Sequence, residues 1–217
     1  MNWTEQVDAY CERLGPGLLA EPLNAISNLA FVIAAMWVWP RLKGDAGAQL
    51  LCLVLGLIGV ASGLFHTLAN AWSGAADSLS ILIYILIYVF LAGGRVLGVG
   101  RVASVALVLA FFPFTAATAY IIGAVFGSLN GSVAYIPVAI LIVIFGVISS
   151  DRRIGNGLFI GAGVLTISLT ARTIDETICA AVPIGTHFIW HILNAIMLAW
   201  MIIVIHRASL AGTRARG

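Results

Sequence analysis

Seven apolar runs, each parted from the next by a few polar residues, set the layout of the chain. They cover residues 24–40, 48–69, 77–94, 101–124, 132–149, 155–173 and 185–205. A bilayer core of roughly 30 Å takes about 20 apolar residues in a helix, so each run predicts one membrane-spanning helix. The breaks are short, and no internal repeat, low-complexity tract or long linker interrupts them. The expectation is an all-α membrane protein, a seven-helix bundle in a single domain over 1–217. A polar segment at 1–23 precedes the bundle, and a basic tail at 206–217 follows it.

Polar residues inside these runs are few and regularly placed. Asn24, Ser27 and Asn28 recur at i, i+3 and i+4 in the first run, making one stripe on one helix face. Hydrogen bonding between helices accounts for such a stripe, and Ser27 in particular is read that way. Ser62 and His66 stand four apart near the end of the second run, and Asp77 opens the third. There it reads as an N-terminal cap or a first-turn carboxylate. The fourth and fifth runs carry Pro113 and Pro137 but, past Arg101 at the start of the fourth, no acidic, basic or histidine side chain, so they read as scaffold, with Pro113 bending its helix. His187 and His191 lie one turn apart in the last run. His206 ends that run beside Arg207, where it complements the helix dipole. Pro22 opens the first helix at a position where its missing N–H is no loss.

Composition narrows the class. At 61% hydrophobic and 9% charged, a chain of 217 residues is too apolar for a soluble domain. Charge then orients it. Arg41, Lys43, Arg95, Arg101, Arg152, Arg153, Arg207, Arg214 and Arg216 fall at alternate ends of the runs. By the positive-inside rule these ends are cytoplasmic, so the N-terminus is outside and the C-terminus inside, in a cell (inner) membrane. Glu5, Asp8, Glu12, Glu21, Asp77, Asp175 and Glu176 then gather at the outer end. Arg172 breaks the pattern there, and an ion pair with Asp175 or Glu176 is its simplest account. The polar start lacks the basic residues of a signal peptide and is expected to stay on the mature protein. No nucleic-acid partner is expected. Of the cysteines, Cys52 sits in an apolar run as a small hydrophobe, while Cys11 and Cys179 share the outer side, where an oxidising compartment allows a bridge.

His66, His187 and His191 therefore lie at similar depth in the outer half. Imidazoles are costly to leave unsatisfied in hydrocarbon. Three of them with an open fourth position make a known catalytic zinc set, and two at i, i+4 with a third from elsewhere is a common helical arrangement. Copper, nickel and iron also accept imidazole, so zinc is inferred from ligand type. Hydrogen bonding of these histidines to neighbouring helices is the bland alternative.

The stretch from Glu21 to Asn28 (EPLNAISN), Ser62 to His66 (SGLFH), Asp77, and His187 to His191 (HFIWH) together resemble the alkaline ceramidase family. That family belongs to a superfamily of seven-helix hydrolases that includes the adiponectin receptors. Its pattern is a serine four before a histidine, an aspartate eleven after that histidine, and a late His-x-x-x-His. All three spacings hold. The resemblance implies zinc on His66, His187 and His191, with zinc-activated water attacking the amide carbonyl of a ceramide-like lipid. Asp77 would orient or deprotonate that water, and Ser62 would steady the oxyanion or the substrate. It also implies a calcium site near the N-terminus. Here Glu12 and Glu21 map onto it, Asp8 is displaced by one residue, Leu14 stands where an asparagine is expected, and the loop before Glu21 is shorter. A solvated acidic N-terminus is the alternative to Asp8, Glu12 and Glu21 as calcium ligands. Cys11 and Cys179 match a disulfide of the family.

Two other classes compete. A non-enzymatic lipid receptor on the same scaffold would hold zinc structurally; the serine and aspartate beside the histidines speak for chemistry. A retinal pump needs a lysine inside the bundle, and Lys43, the only one, is in a loop. A proton relay would spread ionisable residues through the membrane's depth, whereas these keep to one half.

Overall fold

A computed structural model describes residues 2–214. Among them the chain is helical, with no strand beyond an isolated bridge between Gln6 and Asn70. The helices are α1 (Pro22–Ser27), α2 (Leu29–Val38), α3 (Ala46–Leu68), α4 (Ala71–Arg95), α5 (Arg101–Phe126), α6 (Ile136–Ile148), α7 (Arg152–Ile174) and α8 (His187–Arg214). α1, α2 and the turn Trp39–Arg41 together make one span. Six spans are long and apolar enough to cross a membrane, and the segment Ser132–Ile148 is apolar but shorter. They mark a multi-pass membrane protein.

Local chemistry sets boundaries that hydropathy alone misplaces. The first span is broken at Asn28, because Ser27 Oγ and Asn28 Nδ2 both donate to the carbonyl of Asn24, each at 2.8 Å. α4 begins six residues before Asp77, at Ala71, because the Asn70 side chain accepts from Ser73 N–H and the Ser73 hydroxyl answers it in a capping box. Asp77 is therefore inside α4 and caps nothing. Pro137 sits in the first turn of α6, after a 3-10 turn at Ser132–Ala134. Asp45 and Asp151 cap α3 and α7 through their carboxylates. α8 runs on to Arg214, so the expected tail is helical that far; Arg216 lies outside the described residues.

α8 is the central post, packed against α7, α2, α3, α1 and α4. Leu51, Leu55, Ile58, Leu158, Met201 and Ile202 are fully buried around it. Glycine lets neighbouring helices close in. A Cβ on Gly155 of α7 would lie 2.8 Å from the carbonyl oxygen of Gly146 in α6, and one on Gly157 would meet Val204 of α8 at 2.8 Å. α5 is peripheral, packing on α4 and α6 and leaving an apolar face of Leu109, Ile121 and Val125 outward.

The two ends differ. At one, Asp45 before α3 accepts both terminal nitrogens of Arg95, at 2.7 and 2.9 Å, and pairs with His206 at 2.8 Å, tying α3, α4 and α8 together. Burial alone would raise the Asp45 carboxyl; Arg95, the Ala48 N–H and His206 outweigh it and hold it below the usual carboxylate range. At the other end the N-terminal segment folds back over the helix mouths, with Val7 N–H donating to the Ala69 carbonyl.

Candidate metal centre

His66 lies on the last turn of α3, and His187 and His191 open α8. All three are fully buried. One potential ligand atom from each lies within 4.8 Å of the others, and no other such group of three occurs among the described residues. Ring centroids are 4.6 Å apart for His66–His191 and His187–His191, and 5.2 Å for His66–His187.

Neighbours dictate which ring nitrogens are free. Ser27 Oγ lies 2.8 Å from the Asn24 carbonyl and 2.7 Å from His191 Nδ1; with its one proton given to Asn24, its oxygen accepts from an Nδ1–H. That leaves His191 Nε2 as the lone-pair nitrogen. His66 Nδ1 lies 2.6 Å from Glu21 Oε2, an acceptor, so it too carries the proton, and its Nε2 is buried without a partner. His187 Nδ1 is likewise buried and unpartnered. Buried imidazole nitrogens without partners are costly unless something accepts their lone pairs. A metal ion does so, and the Nδ1–H groups of His66 and His191 then hold the usual outer hydrogen bonds of metal-bound histidine, to Glu21 and Ser27. The donor set fits.

The entry to α8 is built with equal care. Asp175 is buried, and its Oδ1 accepts from the backbone N–H of Thr186 at 2.6 Å and of His187 at 2.9 Å. It thereby caps the helix that carries both histidines. Gly185 makes the approach possible, with φ of +63° and a Cβ position that would fall on Asp175 and on Cys11 Cβ at 2.8 Å. Asp175 Oδ2 accepts from Cys11 N–H at 3.2 Å, and Cys11 is bonded to Cys179 with the Cα atoms 5.2 Å apart. The N-terminal segment is thus fastened over the site. Tyr10, just before Cys11, stacks on His187 at 3.9 Å. Burial pushes its hydroxyl up to about 12 despite the Arg172 guanidinium beside it, so the ring lies over the imidazoles as a neutral lid.

Ser62 and Asp77 face a cavity of about 50 Å³ that also touches His191, Arg172 and Asn194. Asp77 Oδ1 is buried there without a hydrogen-bond partner. A second cavity, of about 40 Å³ and wholly apolar, shares Ile85, Val138, Met197 and Leu198 with the first. The two follow α4 from Asp77 to Val89, roughly 18 Å at 1.5 Å per residue.

Some expectations fare differently. Among the described residues Arg172 forms no ion pair with Asp175 or Glu176. Asp175 is taken up by backbone amides, and the guanidinium lies 5.4 to 5.9 Å from the rings of Trp190, Tyr135 and Tyr10. Asp8, Glu12 and Glu21 do not form a group of three able to hold a metal ion among the described residues. Asp8 is exposed. Glu12 accepts from Leu23 N–H at 2.6 Å and Asn24 N–H at 2.8 Å, and so caps α1 from outside. Glu21 is buried between Arg13 and His66. Burial would raise its carboxyl, but the hydrogen bonds from His66 and Arg13 and the Arg13 charge prevail and hold it low. Asp175 and Tyr10 are neighbours of the site that sequence reasoning missed; Ser27 makes the bond between helices expected of it, and its partner is His191. Only Ser27 carried a signal, as a member of the polar stripe.

Fold and site together define a multi-pass membrane protein with a buried three-histidine centre able to hold a metal ion. The ceramidase family model matches residues 9–215, nearly the whole chain, and the chain belongs to the ceramidase family. Comparison with curated proteins gives no match.

Proposed function

We propose that this protein is a zinc-dependent hydrolase of lipid amides, with a ceramide-like substrate cleaved to a long-chain base and a fatty acid. The observation that carries the reading is the cluster of three buried histidines, one of which, His191, lines the same cavity as Ser62 and Asp77, whose Oδ1 has no hydrogen-bond partner. Family membership supplies the reaction class.

His66, His187 and His191 would hold the zinc. Zinc bound there supplies a Lewis acid and brings the pKa of water toward about 7. Asp77 takes the proton of the attacking water on its free Oδ1 and returns it to the departing nitrogen. Ser62 donates to the oxygen that gains charge as the carbonyl becomes tetrahedral. Arg172, a cation in the same cavity, complements that charge and the carboxylate of the released fatty acid. The apolar slot along α4 receives the first methylenes of the acyl chain, next to the carbonyl, and keeps bulk water from the reacting atoms. The histidine end faces outward if the positive-inside rule holds.

The test is hydrolysis of a panel of N-acyl lipids by purified protein, before and after the metal is stripped and zinc restored. Cleavage that vanishes and returns with zinc supports the reading. Zinc-loaded protein that leaves every lipid amide intact rejects it and favours a receptor with a structural metal.

A further inference from the structure

The family resemblance calls for calcium near the N-terminus, and the residues present do not fit it. Calcium takes six to eight oxygen ligands. Glu12 has both oxygens on backbone amides, Asp8 is exposed, and Leu14 brings no oxygen from its side chain. Glu21 alone remains, and it already has a cation: Arg13 Nε donates to Oε1 at 2.5 Å, with both side chains buried. Arg13 Nη1 reaches the Gly15 carbonyl at 3.4 Å, fixing the guanidinium to the loop that leads to α1.

We propose that Arg13 stands in for calcium as a covalently resident cation, and through Glu21 acts as a positioning residue for His66. The inference rests on the reading of the histidines as a zinc centre. A metal-bound His66 is neutral, so it donates a hydrogen bond to Glu21 but no charge. Glu21 is 2% exposed, and a buried carboxylate needs a paired cation to stay ionised. Among the described residues Arg13 is the only group carrying a permanent charge that pairs with it. Held by Arg13, Glu21 accepts the Nδ1–H of His66 and leaves Nε2 as the nitrogen free to bind a metal, in a ring 5.2 and 4.6 Å from those of His187 and His191. The chain from Arg13 to Glu21 to His66 thus ties ligand orientation to the N-terminal segment with no exchangeable ion in it.

Equilibrium dialysis of the zinc-loaded protein against radioactive calcium, with zinc affinity measured by competition with a chromophoric chelator, tests this. Wild type should retain no calcium, and its zinc affinity should not change with calcium. Arg13→Met should bind zinc about 10-fold more weakly, and Arg13→Lys should recover most of that loss. Stoichiometric calcium on wild type would overturn the proposal, as would unchanged zinc affinity in Arg13→Met. Should Arg13→Met fail to fold, the calcium result and the lysine variant decide. Protein that holds zinc, ignores calcium and cleaves no amide would sink the hydrolase reading and leave this one standing; protein that holds no zinc would sink both.

Discussion

The hydroxyl of Ser27 and the Nδ1 of His191 lie 2.7 Å apart, although 164 residues separate them in the chain. Because that hydroxyl spends its proton on Asn24, it acts on His191 only as an acceptor, and so selects the tautomer that leaves Nε2 free. Ser27→Ala should therefore lower metal affinity by about 10- to 100-fold in a protein that still folds. Competition with a chelator of known affinity measures this, and Ser27→Thr should largely restore it.

Asp77→Asn should keep the metal and lose turnover by about 10²- to 10⁴-fold, since the carboxylate is assigned a proton-transfer role and lies outside the ligand set. Metal content and hydrolysis rate on the same preparation separate the two effects. Loss of metal would make Asp77 a ligand.

The spans were legible because seven apolar runs of near-membrane length leave little else for the chain to form. Their ends were not, because caps decide them. Asn70 and Ser73 start α4 upstream of Asp77, and nothing in the hydropathy of 71–76 marks that start. The histidines showed through their i, i+4 spacing. Their partners did not, since Glu21 is 45 residues from His66 and Ser27 is 164 from His191. Arg172 was visible as a misplaced charge. Its surroundings come from the N-terminal segment, the start of α6 and α8, which no reading of nearby acidic residues reaches.

At the opposite end, the Asp45 clasp predicts a pH-dependent stability. Its carboxyl is held below the unfolded value of about 3.9, so its contribution is fully present above that pH and is lost as pH falls through the lower folded value. Asp45→Asn should unfold more readily near neutral pH, by roughly 3 kcal/mol because Arg95 and the α3 cap lose their partner. The gap from wild type should narrow as pH drops below about 4. Thermal unfolding in detergent across pH measures it.

Gly155→Ala should destabilise the protein by about 1–3 kcal/mol, because the new methyl would meet the Gly146 backbone, which has no flexible side chain to move aside. Gly163→Ala, on the same helix with open space around it, should be neutral or slightly stabilising, and the same unfolding assay compares them.

Elemental analysis of the purified protein bears most directly on the central claim, that His66, His187 and His191 jointly hold a metal ion. Wild type should carry one equivalent of zinc, and His187→Ala should carry none while remaining folded in detergent. A metal-free wild type, or a His187→Ala protein with its full equivalent, would contradict it.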